Sequence, residues 1–269
     1  FYLFDDGLFV TGATAEHVGL IGLEVVRFGS RPVDDALKAV RPVANVDNEM
    51  GHKLYGPRLL NVAEICGSTG VVTDPERLAL TLRDRSGGTR EVVVAPLAAN
   101  VSPKYVQAHE KPGATPPLWV KDRERAHWFR FLPEHRTVFA QVNAIRDAQD
   151  ESMAQFAAGL ASFVDTNPVE RVVIDLRWNG GGNNYLNRSL VLALARHPQL
   201  NRFGAVFTLT RRYTFSAAPT KRTSYSPWSQ RVSPLLATTQ VASNGWPIAK
   251  TVPSTGDCDT SVHWFPLTG

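Results

Sequence analysis

Between residues 151 and 210 two kinds of apolar pattern alternate at a regular beat, and that beat restricts the folds open to the chain. Residues 151–164 carry Met153, Phe156, Ala157, Leu160 and Phe163 at the three-and-four spacing of one helix face. Residues 171–176 (RVVIDL) and 205–210 (AVFTLT) are short continuous apolar runs, the pattern of strands buried in a sheet. A second helical stretch, 184–196, lies between them, and Asn167-Pro168 and His197-Pro198 close the two helices. Upstream, 127–132 and 137–142 read as paired strands around Pro133-Glu134. Strand, helix, strand, helix, strand predicts a layered α/β unit.

The first hundred residues follow another rhythm. Residues 1–15 are strand-rich, with a turn at Asp6-Gly7. Residues 23–28 (LEVVRF) form a strand ending at Gly29, and Pro32 stands where a helix starts, followed by VDDALKAV. Residues 41–74 are mixed and helical in parts. Residues 77–83 alternate apolar and polar side chains, and a Ser-Gly-Gly turn then leads into 91–95, the signature of a hairpin. This order loosely resembles a PDZ-like module with an insertion at 41–75, which would bind extended chains at a sheet edge; a small structural α+β domain is the other reading. Residues 96–118 carry five prolines and no period, which marks a linker. The expected division is an N-terminal α+β domain at 1–97, a linker at 98–117, an α/β core at 118–218, and a tail at 219–269.

Composition narrows the classes of partner. Of 269 residues, 43% are hydrophobic and 20% charged, as in ordinary soluble globular proteins. The net charge of +4 comes from interspersed acids and bases without a long basic run, so nucleic acid is not an expected partner. No apolar run approaches the roughly 18 residues of a membrane span. The chain opens at Phe1 inside a strand-like run, which reads as a fragment or processed chain. Cys66 and Cys258 are too few for a disulfide framework and fit no zinc spacing.

Two segments carry chemistry. Asp175-Leu176-Arg177-Trp178-Asn179-Gly180-Gly181-Gly182 follows an apolar strand and precedes a helix. Glycines there bring backbone N–H donors close to a ligand, which suits a phosphate or the oxyanion of acyl transfer, although a plain turn needs no function. No Lys-Ser/Thr follows, so a phosphate-binding P-loop is disfavoured. The second segment, Tyr213-Thr214-Phe215-Ser216-Ala217-Ala218, follows the AVFTLT strand. A small-residue turn there can present a serine hydroxyl at the rim of a sheet, as a nucleophile elbow does, or simply cap a helix.

Together, DLRxNxGG and, about thirty residues on, TFSAA resemble the tail-specific, C-terminal-processing serine peptidases (serine peptidase family forty-one). Their core is shared by interphotoreceptor retinoid-binding protein repeats. The resemblance spans residues 118–218 well and 16–97 more loosely. It implies a ββα-spiral core of the crotonase and Clp kind, with Ser216 as nucleophile and an oxyanion hole from backbone N–H groups of Gly181, Gly182 and Ala217. It further implies a polypeptide substrate, no cofactor or metal, and an extracytoplasmic or secreted setting. A non-catalytic binding protein on the same core, for a peptide or an apolar ligand, is the rival reading; a thioesterase or amidase is the third.

The chain departs from the family at the general base. Most relatives use a lysine about 25 residues after the serine, whereas Lys221 is too close and Lys250 sits in the wrong context. A minority use histidine, which makes His127 and His135 candidates. The tail departs too: 219–269 hold 15 Ser or Thr, six Pro and no Glu, so no helical or strand period persists. One explanation is a disordered Ser/Thr/Pro-rich tail. The favoured one is a shifted reading frame. Dropping two nucleotides within codons 219–224 permits Asn-Glu-Ala-Asp-Leu, and codons 236–246 then permit Gly-Asp-His-Thr-Ser-Gly. That order resembles the family's missing G-[DE]-x-T-x-G segment. A peptidase impaired by its aberrant tail is the resulting expectation.

Overall fold

The computed structural model describes residues 1–98, 101–216 and 237–240, the last as backbone alone. It is mixed α/β and divides into two units, Phe1–Pro116 and Pro117–Gly269.

In the first unit, short strands β1 (Tyr2–Leu3), β2 (Leu8–Phe9) and β3 (Gly12–Ala13) precede β4 (Glu24–Phe28) and β5 (Arg31–Pro32). Helix α1 (Val33–Val40) starts directly after Pro32, whose fixed φ suits a helix entry, and buries Ala36 and Val40. Helices α2 (Glu49–Leu59) and α3 (Ala63–Ser68) occupy the stretch expected as an insertion. Strands β6 (Leu78–Arg83) and β7 (Thr89–Val94) form the hairpin, and Gly87 turns it at φ 89°. β6 pairs with β4, so the sheet runs β1-β2-β4-β6-β7, antiparallel throughout. Val25, Phe28, Leu80 and Leu82 pack with Ala36 and Val40 beneath it. The proline-rich stretch is not all linker: β8 (Val106–Gln107) pairs with β3. Cys66 is a buried thiol, pushed up to about 11 by burial.

The second unit is built on β9 (His127–Leu132) and β10 (Thr137–Val142), an antiparallel hairpin turned by Pro133–His135 and a left-handed Arg136 (φ 46°). Helix α4 (Met153–Thr166) follows, with Ser152 and Gln155 forming a capping box at its start. The chain continues through β11 (Arg171–Asp175), α5 (Asn187–Arg196) and β12 (Val206–Thr210). A one-turn 3-10 helix, Asn184–Leu186, begins what reads in sequence as a single helix. β10, β11 and β12 are mutually parallel, and β13 (Ala237–Gln240), within the stretch expected to lie outside the fold, pairs parallel to β12. The remainder of 217–269, including Lys221 and Lys250, lies outside the described residues.

Alternation along the strands creates two faces. Val138, Ala140, Val142, Val172 and Ile174 pack on Phe156 and Leu160 of α4 and on Leu190 and Leu194 of α5. Phe139, Trp128 and Leu118 pack on the opposite face with Trp119 and Val173. The consequence for function is directional. The segments after β10, β11 and β12 all leave the sheet at one edge, where ligands of parallel α/β sheets bind.

His127 lies opposite Val142 at that edge, but it is buried on the α4 face, its ring stacked 4.6 Å from that of Phe156. Neither ring nitrogen has a hydrogen-bond partner among the described residues, and Glu151 Oε2 is 3.9 Å from Nδ1. Burial holds the imidazole below the usual histidine range. The charges of Arg125 and Arg146 add to this, and Asp150 and Asp147 oppose it. The unfolded chain takes up this proton near pH 6.5, whereas the folded chain resists it, so stability present above that pH is lost as pH falls below it. Removing the titration with His127→Phe should leave stability at pH 7.5 equal or higher, because no unpaired buried nitrogen remains. It should also reduce the fall in thermal midpoint between pH 7 and pH 5. An unchanged pH profile in the variant would contradict this account.

Candidate active site

The site is assembled by the segment after β11. Asp175 is fully buried at the strand end, and its carboxylate accepts the Arg177 backbone N–H (2.9 Å) and the guanidinium through Nε (3.0 and 2.9 Å) and Nη2 (2.5 Å). Losing either partner would strand a buried charge at a cost of about 3–5 kcal/mol. The pair folds the chain back on itself and fixes where the next residues emerge. Arg177 also lies over the Trp119 ring (4.6 Å), and Trp119 stacks on Trp178 at 5.2 Å. The Trp119 carbonyl accepts from Trp178 Nε1 (3.0 Å) and from the buried Gln141 amide (2.8 Å).

Asn179 is the next residue and is fully buried. Its Nδ2 donates to the Val142 carbonyl at the end of β10 (2.9 Å), and its Oδ1 accepts from the Gly181 N–H (2.8 Å). Its own carbonyl accepts from the Phe215 N–H (3.1 Å). One residue thus ties the end of β10, the glycine turn and the segment carrying Ser216.

The glycine turn is held from its other side by Ile145, which donates to the Gly181 carbonyl (3.0 Å) and accepts from the Asn183 N–H (2.8 Å). That closeness needs glycine at 182. Gly182 has φ +140°, and a Cβ there would stand 2.2 Å from the Ile145 carbonyl oxygen. Tyr213 lies against Gly180, whose added Cβ would be 3.4 Å from the phenol oxygen.

The segment after β12 is bound to the same loop. Thr214 Oγ1 donates to the Leu176 carbonyl (2.8 Å) and accepts from the Arg211 N–H (3.0 Å). Ser216 follows, exposed and left-handed at φ 57°. That region costs a non-glycine residue on the order of 1–3 kcal/mol and is found where surrounding contacts impose it.

The two motifs recognised in sequence therefore meet, with the Phe215-Ser216 turn hydrogen-bonded to Asn179. The proposed oxyanion donors differ among themselves. Gly181 is buried and its N–H donates to the Asn179 side chain. Gly182 is exposed, and its N–H has no hydrogen bond among the described residues. Ala217 lies outside the described residues. Of the histidines, His135 precedes β10 and so sits at the opposite end of the parallel strands from Ser216. His127 is at the right end but buried under α4. Among the described residues no group of three His, Cys, Asp or Glu side chains could hold a metal. Trp119, Gln141, Ile145 and Thr214 complete the scaffold. Nothing in the residue pattern signalled this bracing, that by Asn179 included.

No protein-family model matches the chain, and no curated protein matches it. Its structural neighbours include two proteases. Mature CPAF complexed with lactacystin is 16% identical at a TM-score of 0.40, covering 64% of this chain and 38% of CPAF. The photosystem II D1 C-terminal processing protease is 12% identical at 0.30, covering 85% and 54%. A lipoprotein from Streptococcus agalactiae is 15% identical at 0.29, covering 44% and 50%. The likenesses are loose, and the chain spans well under two thirds of each of these three neighbours.

Gly182→Ala should lower stability by roughly 1–3 kcal/mol in urea unfolding, because both φ and the Ile145 carbonyl oppose a Cβ. Gly180→Ala, with room to relax at Tyr213, should cost less than about 1 kcal/mol. Equal losses in the two variants would contradict the described turn.

Proposed function

We propose that this chain carries the nucleophile-bearing part of a serine-type peptidase, with Ser216 forming the acyl-enzyme. The observation that carries the reading is the left-handed, exposed turn at Ser216, hydrogen-bonded to the loop that presents Gly182. Strain at a serine in the turn region that follows a buried strand fits an elbow that lifts a hydroxyl out of the sheet. In this reading Ser216 Oγ attacks the scissile carbonyl and loses its proton to a base. The Gly182 N–H, with that of Ala217, receives the developing oxyanion; one such donor is worth about 100- to 1000-fold in rate. Collapse of the intermediate breaks the C–N bond as the protonated base gives its proton to the departing amine, and water then hydrolyses the acyl ester to return Ser216 and a carboxylate. The ββα-spiral architecture of the second unit and the PDZ-like character of the first belong to the same reading, as does a polypeptide substrate.

The base is the missing part. His135 is at the far end of the strands, His127 is buried, and no lysine stands at family spacing in the tail. A serine without its base keeps only residual catalysis. The chain as written is therefore expected to be impaired, with the shifted frame after codon 218 as the cause. A fluorophosphonate tests this. The frame-restored chain should gain one adduct, located at Ser216 by mass spectrometry and absent in Ser216→Ala. The chain as written should label at least about 100-fold more slowly. A restored chain that never labels would favour the non-catalytic binding protein.

A further inference from the structure

Asn179 is followed by glycine, the setting in which an asparagine side chain is most open to attack by its own main chain. The nitrogen of the next residue attacks the carboxamide carbon, and only glycine leaves that nitrogen unhindered by a side chain. The sequence holds two such pairs, Asn179-Gly180 and Asn244-Gly245, and the second lies outside the described residues.

The first pair sits where the site is tied together, and its surroundings separate the reacting groups. Gly180 is exposed, so solvent reaches the attacking nitrogen. The Asn179 side chain is the reverse. It is fully buried, with Nδ2 donating to the Val142 carbonyl (2.9 Å) and Oδ1 accepting from the Gly181 N–H (2.8 Å). Attack has to come across the carboxamide plane, and the side-chain nitrogen has to leave as ammonia. One hydrogen bond to the end of β10 and one to the glycine turn hold that plane, and burial keeps water from the departing nitrogen.

From this geometry we infer that Asn179-Gly180 is a latent deamidation site, protected while the turn is closed and reactive when it opens. In the open state the Gly180 nitrogen gives up its proton and bonds to the Asn179 side-chain carbon. Ammonia leaves with that proton, and a cyclic imide remains. Water opens the ring at either carbonyl, giving aspartate or, with the backbone rerouted through the side chain, isoaspartate. Nothing is oxidised or reduced, and water is the only co-reactant. In the aspartate product a carboxylate replaces the amide, so the Val142 carbonyl loses its donor and faces an acceptor. A buried mismatch of that kind costs more than a missing bond. Opening, otherwise reversible, becomes permanent at the residue that joins the three segments. The inference stands whether or not Ser216 is a nucleophile.

Peptide mapping by mass spectrometry of the whole chain, aged at neutral pH both folded and in urea, tests it. Trypsin cuts after Arg177 and Arg188, and the fragment between carries Asn179 beside Asn183, Asn184 and Asn187, none of them followed by glycine. In urea Asn179 should deamidate at a rate similar to Asn244 and faster than the other three. In the folded chain it should react at least about tenfold more slowly than in urea, the opening equilibrium setting the ratio. Sub-denaturing urea should raise the folded rate steadily, and Gly182→Ala, which strains the closed turn, should raise it about tenfold. Gly180→Ala should suppress the reaction in both states, because its side chain hinders the attacking nitrogen. Asn179→Asp, which places one product directly, should lower the thermal midpoint by several degrees. Equal rates in the folded and unfolded chains, or a folded rate that neither sub-denaturing urea nor Gly182→Ala raises, would overturn the inference. So would an unfolded Asn179 no faster than Asn183, or an Asn179→Asp chain as stable as its parent.

Discussion

The hydrogen bonds of Asn179 are what the site depends on. A single buried amide spans the gap between β10 and the glycine turn, and its backbone carbonyl reaches the segment that carries Ser216. The Val142 carbonyl and the Gly181 N–H would otherwise be polar groups of buried residues in want of a partner, at about 1–3 kcal/mol apiece. Satisfying them all with one residue makes the three segments mutually dependent. It also decides which glycine faces a ligand: occupying the Gly181 N–H leaves the exposed Gly182 N–H to whatever approaches Ser216.

Around that keystone the polar interior is closed off in layers. Arg177 neutralises Asp175, their pair is roofed by Trp119, and Gln141 fixes the Trp119 carbonyl. Such burial is expensive unless complete, so it rigidifies the loop where it succeeds. Rigidity of this kind is what can hold Ser216 left-handed, because strain persists only where neighbouring contacts over-determine it. The same bracing, carried through Asn143 to Asp122, fixes Arg123 over Trp178. The Ser216 turn and the Arg123–Trp178 contact thus draw on one network.

Sequence patterns made the mixed α/β character legible wherever burial sets a clean period. The strands of the β9–β10 hairpin match their expected bounds, α5 lies within its expected helical stretch and α4 runs two residues past the end of its own, because one-sided or two-sided burial writes itself into residue spacing. Two-residue strands such as β3 and β8 are too short to carry a period, so Val106 and Gln107 read as linker although they pair with Gly12 and Ala13. At the site, the glycines and the serine announced themselves by residue type. Their bracing did not. Trp119 lies in a stretch without periodicity, and its carbonyl, not its side chain, anchors Gln141 and Trp178. The capture of the Gly181 N–H by an asparagine two residues earlier is equally silent, since an Asn before a glycine run reads as turn chemistry whichever donor it takes.

The central claim is that Asn179 and Ile145 hold the glycine turn so that the Gly182 N–H faces a group attached to Ser216. A crystal structure of the frame-restored chain carrying a phosphonyl adduct on Ser216 tests it directly, because the phosphonyl oxygen stands where an oxyanion would. The account predicts that oxygen at about 3 Å from the Gly182 nitrogen, with the Asn179–Gly181 hydrogen bond intact. An adduct whose oxygen turns away from the glycine loop, or accepts from Gly181 after Asn179 has let go, would contradict it.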